Sequence, residues 1–356
     1  TADRIIRTEM YDQEKLLQAI DELGRLGLVK VENGSLLVTD QVISSQLLVA
    51  TSETYLRYLH QLAASSLEAE LRIPQYDVLV WRCAVHHKRA GNSARGLDLL
   101  TKCSDHFLQE SKVSEAIATL RRAMDFCTKP EETIMVSERL VCALRLAEHW
   151  KHVLQTAQAN SKYRQNLSTY RRNHSNSELA CLAARWHLGQ SATSIVNDAT
   201  RCLMDEASPP QHRAEAAVQL LVMAHNMGDQ ERIRATYAAV SDLKAQTGNS
   251  TSTLTADLIY HSALGDLSTA ATIGQELLRW ARDSMTPAEL ALTLRQVAIP
   301  LRFAGRFDEA RALLSEALRI TTELGADYGS LKATDMIGTT FLEQGRLTEA
   351  WEWYLG

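Results

Sequence analysis

The sequence is poor in the features that usually announce chemistry. Its 356 residues include only six prolines, aromatic residues make up 6%, and 38 Lys and Arg are outnumbered by 43 Asp and Glu. A formal charge of −5 gives no broad cationic field for a phosphate backbone, which argues against non-specific nucleic-acid binding by the chain as a whole. No apolar run reaches the length of a bilayer crossing, and the opening segment from Thr1 to Arg7 lacks the apolar core of a secretion signal. The cysteines Cys83, Cys103, Cys127, Cys142, Cys181 and Cys202 lie singly within helical patterns, with none in the final third of the chain. That spacing predicts reduced, buried thiols and a cytoplasmic location. There is no Gly-x-x-x-x-Gly-Lys-Ser/Thr phosphate loop and no Gly-x-Ser-x-Gly nucleophile elbow, so neither a nucleotide-binding core nor catalytic residues are expected, and the chain reads as no enzyme. Cys83, His86 and His87 come nearest to a metal cluster. They share one predicted helix without a second ligand pair at zinc spacing, so they read as helix packing and no metal ligand is expected.

What the sequence does have is a period. Ser111, Glu148, Gly189, Gly228, Gly265, Gly305 and Gly345 follow one another at separations of 37, 41, 39, 37, 40 and 40 residues. In the clearest copies the break is followed five positions later by alanine: Gly305 by Ala310, Gly345 by Ala350, Gly265 by Ala270 and Ser111 by Ala116. Thr128 with Glu131, Ser208 with Gln211, and Thr286 with Glu289 read as capping boxes one long helix ahead of three of the breaks, with Pro209 and Pro287 at the first helical position. The unit is a first helix, a tight turn and a second helix, with Ala310, Leu314 and Ala317 on one packing face and Ala350 and Tyr354 repeating the first two. A period of this length in an all-helical pattern predicts an all-α superhelical solenoid.

The amino-terminal part reads differently. Leu16, Leu17, Ile20, Leu23 and Leu26 recur at helical spacing before Gly27, and two short alternating runs, 28–32 and 35–39, flank the turn pair Asn33–Gly34. Helix followed by hairpin outlines a small winged-helix-like module, residues 1–52. Residues 53–110 are read as linking helices and 111–356 as the repeat array, its last repeat truncated. The module's candidate second helix, from Asp40 to Leu48, carries no Arg or Lys, so direct DNA binding by this chain is not expected.

The break-to-alanine phrase resembles the tetratricopeptide repeat, although about forty residues per unit exceeds that family's usual 34. Units stretched in this way look like those in the sensor region of STAND-type signalling ATPases, including the large LuxR-type (MalT-like) transcription regulators. The helix from Arg57 to Glu68 is similar to the Leu-His-x-x-Leu-Ala helix behind the winged-helix module of those proteins, with Leu59, His60, Leu62 and Ala63 at the matching positions. His86–Gly91, Ala94–Leu100 and Ser114–Ala123 follow in the family's order.

The resemblance implies an effector-sensing and regulatory region of an ATP-dependent transcription regulator. A small-molecule inducer or regulatory protein would bind in the repeat superhelix and control the chain's own ATPase core, with self-association on activation. The winged-helix-like module would pack on that core. ATP or ADP is implied only for a longer protein, with no cofactor in this chain. The family's nucleotide-binding core and DNA-binding domain are expected beyond the two ends, since the chain opens without Met and closes inside a helix. First helices would line the binding groove, and family geometry carried onto this sequence gives Trp186, His187, Glu215, His225, Asn226, Arg295, Arg302, Asp335 and Thr339 as ligand-binding. Pro300 is expected to kink its helix between Arg295 and Arg302. The polar stretch 161–174 is a partner-contact candidate or a solvated face. Two other readings stay open: a protein-interaction scaffold, and a sensor of foreign protein in a STAND-type defence system.

Overall fold

The computed structural model describes residues 13–32, 35–38, 51–71, 76–165 and 176–355. They group into two compact units, residues 1–103 with 122–128 and residues 104–121 with 129–356. Of the linking helices, residues 53–103 group with the amino-terminal segment and residues 104–110 with the second unit.

In the first unit α1 (Gln13–Arg25) stops at Gly27, whose φ of 70° suits glycine. Strands β1 (Val29–Glu32) and β2 (Ser35–Val38) pair antiparallel, Val29 opposite Val38 and Glu32 opposite Ser35. The turn pair Asn33–Gly34 and the expected helix after Asp40 lie outside the described residues. Leu23 on α1 and Leu26 just after it are exposed. Ser52 caps α2 (Glu53–Glu70), its hydroxyl accepting from the Tyr55 amide at 3.3 Å. Ala64 and Leu67 of α2 and Val80, Cys83 and Ala84 of α3 (Tyr76–Arg89) are all buried. The chain then enters α4 (Ser93–Gln109) and α5 (Val113–Met124).

The second unit continues with α6 (Pro130–Leu146), α7 (Trp150–Gln165), α8 (Asn176–His187), α9 (Ala192–Met204), α10 (Pro210–Met227) and α11 (Gln230–Thr247). It closes with α12 (Thr251–Ala263), α13 (Leu267–Ser284), α14 (Pro287–Phe303), α15 (Phe307–Glu323), α16 (Asp327–Glu343) and α17 (Leu347–Leu355). All seven periodic break residues have positive φ: the five glycines between 69° and 78°, Ser111 at 60° and Glu148 at 54°. At Gly305 the reversal is completed by the Arg306 amide donating back to the Leu301 carbonyl at 2.9 Å.

The capping box at Thr286 forms as predicted, Glu289 accepting from the Thr286 amide at 3.0 Å. The other two do not. Pro130 takes the first helical position, so Lys129 becomes the cap and Glu132 accepts from its amide at 3.2 Å. Pro210 rather than Pro209 starts α10, and Gln211 instead donates to Ser252 Oγ at 3.1 Å. In each case the proline nearest the helix fixes the start.

Ala310, Leu314 and Ala317 are wholly buried, as is most of Ala350, whereas Tyr354 stays 44% exposed with its ring over Gly338. Apolar clusters run along the unit: one joins α8 to α12 and a second joins α12 to α16. Helix α14 runs unbroken through Pro300, which is buried in its last turns. The array thus presents a row of first helices joined to second helices by left-handed break residues.

Candidate functional site

The seven breaks are alike in backbone but not in side chain, and Glu148 is where the difference matters. A non-glycine residue in the left-handed region is strained by roughly 1–2 kcal/mol. Its carboxylate Oε1 accepts from Arg295 Nη2. Arg295, in the middle of α14, is only 7% exposed and also donates through Nη1 to the Gly329 carbonyl at 3.4 Å. Contacts between neighbouring units of this array span about forty residues, whereas Glu148 and Arg295 are 147 apart. The array therefore turns back until an early break meets a late first helix.

Aromatic rings surround this ion pair. Trp150, at the start of α7, stacks on His187 at the end of α8, with centroids 4.2 Å apart and planes 13° apart. Tyr328 stands edge-on to both, at 6.3 Å and 5.9 Å, and its hydroxyl lies 3.3 Å from His187 Nδ1. Lys332 Nζ sits 5.8 Å from the Tyr328 ring centre. Crowding and lost hydration push the His187 imidazole down to about 4, and the Lys332 and Arg295 charges act in the same direction. Part of the residue remains open to solvent, which tempers the hydration loss. Burial, then the Glu148 charge, raises the Tyr328 hydroxyl above its ordinary value. Three polar atoms here are buried without a hydrogen-bond partner: Glu148 Oε2, Trp150 Nε1 and Arg295 Nε. Elsewhere in the second unit a groove of about 470 Å³ runs between residues 110–115 and 287–324, where Lys112 and Arg319 stand among the acids Glu110, Glu115, Glu316 and Glu323.

Of the residues expected to bind ligand, His187 and Arg295 come together here. Trp186 instead packs against the apolar cluster joining α8 to α12. On α10, Glu215 and His225 are half-buried and Asn226 is exposed, with no described contact joining them to the cluster. Arg302 pairs with Glu343 at 3.2 Å, in an orientation poor for hydrogen bonding, and lies 5.0 Å from the Phe303 ring centre. Asp335 is exposed, and Thr339 donates to its carbonyl at 2.8 Å and meets the Tyr354 hydroxyl at 3.1 Å. Sequence reasoning missed Glu148, Trp150, Tyr328 and Lys332. The one available signal was an acid standing at a break position that elsewhere carries glycine.

The first unit holds a second polar cluster. Glu68 joins Cys83 and His87, with potential ligand atoms within 4.8 Å of one another, a carboxylate that the metal reading from sequence had left out. His87 Nε2 lies 2.9 Å from Glu68 Oε2, and Arg95 Nε donates to Glu68 Oε1 at 2.9 Å. The Arg95 hydrogen bond holds the Glu68 carboxyl below its ordinary range, while burial pushes the Cys83 thiol up to about 11. Glu178, Cys202 and His212 form a similar trio in the second unit, the Cys202 thiol pushed up to about 12 by burial and then by Glu178. At Glu68 the Arg95 guanidinium already occupies the carboxylate, so the first trio acts as a polar network that pins α2, α3 and α4 together.

The tetratricopeptide-repeat family matches residues 289–355. No curated protein sequence matches the chain significantly. Similar solved structures include a tetratricopeptide repeat protein from Parabacteroides merdae, with 11% identity and a TM-score of 0.40 over 74% of this chain and 100% of that one. Another is the APC/C hetero-tetramer Cut9–Hcn1, with 14% identity and a TM-score of 0.36 over 89% and 81%. A third is a STAND protein with a tetratricopeptide repeat sensor from Pyrococcus horikoshii, with 11% identity and a TM-score of 0.38 over 99% of this chain and 59% of that one. Likenesses this distant carry no functional reading. No described helix is long and apolar enough to cross a membrane. The fold is an all-α helical-repeat solenoid of the tetratricopeptide type, with the family match itself confined to residues 289–355.

Proposed function

We propose that this chain is the effector-sensing region of a STAND-type, ATP-dependent transcription regulator, acting by binding rather than by catalysis. The sequence order supports the reading: a helix and hairpin, the helix with Leu59, His60, Leu62 and Ala63, then a repeat array of stretched period. The observation that carries it is the meeting of Glu148, Trp150 and His187 with Arg295 and Tyr328, because it sets polar and aromatic side chains from distant repeats around one place. A ligand held there touches both parts of the array and so favours one curvature over another. The inducer is a small molecule or a regulatory protein; Glu215, His225, Asn226, Arg302, Asp335 and Thr339 stand as further contacts of a larger effector. The partner is an ATPase core using ATP or ADP, with self-association on activation, and the setting is cytoplasmic. The winged-helix-like segment would contact that core.

Thermal denaturation across sugars, nucleotides, carboxylic acids and other metabolites tests this, since a ligand of the folded array raises its melting temperature by an amount that grows with the logarithm of its concentration above Kd. A uniformly flat screen would remove the small-molecule sensor. The exposed side chains Leu347, Trp351 and Leu355 on α17 favour a second reading, a protein-interaction scaffold. Retention of one defined protein in a pull-down, abolished by Trp351→Glu, would select it.

A further inference from the structure

We propose that the Glu148–Arg295 contact is a carboxylate-binding seat filled by the chain itself: Arg295 is placed to take the carboxylate of a small planar acid, and Glu148 occupies that seat until such a ligand displaces it. The proposal rests on the sensor reading above and deepens it by naming the effector's chemical class and the contact it breaks.

The first argument is the incomplete geometry of the pair. A guanidinium binds carboxylate best side-on, two N–H groups to two oxygens. Glu148 offers Arg295 one oxygen at Nη2, and Arg295 Nη1 turns to the Gly329 carbonyl. That leaves Arg295 Nε and Glu148 Oε2 both buried and partnerless. Glu148 stands at a left-handed turn, φ 54°, and its carboxylate meets the fork through one oxygen only. An untethered carboxylate is free to meet it through both, bonding Nη2 and Nε together. A buried ion pair whose remaining polar atoms go unmet gains little over separation, so a ligand that completes the fork has the advantage.

The second argument is what surrounds the seat. Trp150 and His187 stack on each other, Tyr328 presents an edge to both, and Trp150 Nε1 is a further buried donor without a partner. One extra donor beside these rings suits a planar body that carries its own acceptor. Arg295 and Lys332 supply positive charge, and Glu148 is the acid paired with Arg295. An incoming anion that releases Glu148 therefore keeps Arg295 compensated. Because Glu148 and Arg295 lie 147 residues apart, the exchange frees the break at Glu148 from α14 and couples occupancy to the array's curvature.

Benzoate is the probe and benzamide, its neutral isostere, the control, each titrated against the full 356-residue chain by calorimetry or ligand-observed NMR. Glu148→Gln removes the internal competitor, so benzoate should bind that variant at least about tenfold more tightly than the parent, a gain of about 1.4 kcal/mol. Arg295→Gln should lose benzoate, and benzamide should bind none of the three. Should Arg295→Gln fail to fold, as circular dichroism will show, the Glu148→Gln and benzamide comparisons decide alone. Equal benzoate affinity with and without Glu148, benzamide matching benzoate, or no benzoate binding to either chain overturns the proposal. A non-carboxylate effector whose affinity ignores Glu148→Gln would overturn it too, while leaving the sensor reading intact.

Discussion

Two of the seven breaks lack glycine, and the account predicts that giving them one has opposite effects. In Ser111→Gly the left-handed strain of roughly 1–2 kcal/mol is relieved, and the greater freedom of glycine in the unfolded chain returns roughly 0.5–1 kcal/mol of it. The net is a stabilisation of about 0.5–1 kcal/mol. Glu148→Gly gains the same from the backbone, since its φ of 54° is close to the 60° of Ser111. It also strips the partner from Arg295, which at 7% exposure cannot regain water. Removing one member of a buried pair costs roughly 3–5 kcal/mol, so the net is a destabilisation of about 2–4 kcal/mol. Urea denaturation followed by circular dichroism measures both against the parent chain, with melting temperature as a second readout of sign. If Glu148→Gly stabilises as Ser111→Gly does, Arg295 is not held by Glu148, and the carboxylate seat drawn from that contact fails with it.

Other consequences follow from packing and titration. A Cβ on Gly274 would stand 2.7 Å from Val297 Cγ1, so Gly274→Ala should cost roughly 1–3 kcal/mol in urea melts by overpacking α13 against α14. Burial, then the neighbouring Asp257 charge, pushes the Tyr237 hydroxyl up to about 12, and that hydroxyl donates to Asp257 at 3.0 Å. Asp257→Asn should lower the Tyr237 pKa part of the way back in an ultraviolet titration, and it also removes the acid 2.6 Å from Lys244 Nζ. His60, His86, His149 and His187 all have depressed folded pKa values, each chiefly from lost hydration. Below about pH 6.5 the unfolded chain binds more protons than the folded one, so stability should be full above that pH and fall as pH drops toward the folded values. His187→Gln should flatten the part of that fall lying between about 6.5 and about 4, read from melting temperature against pH.

The repeat was legible because it is written in backbone requirements. A left-handed break asks for glycine, and a buried helix crossing asks for a small residue such as Ala310, so the frame of the array stands in the sequence. Helix starts were less exact: Pro130 and Pro210 moved the caps by one residue, to Lys129 and Pro209, which a hydroxyl-based search does not see. The binding surface was least legible. His187 and Arg295 follow from which helix faces inward, but Trp186 differs from His187 by about 100° around the same helix and turns to the core. Glu148, Trp150 and Tyr328 meet only because the array turns back over more than a hundred residues, and no local pattern records that curvature.

The most direct test of the central claim is where an effector protects the chain from hydrogen exchange. With any ligand that raises the melting temperature, the account predicts slowed exchange in α14 and α16 around Arg295 and Tyr328, altered exchange at the Glu148 turn, and little change in the strands β1 and β2. Protection confined to the outer second helices, or to α17 around Trp351, would contradict it.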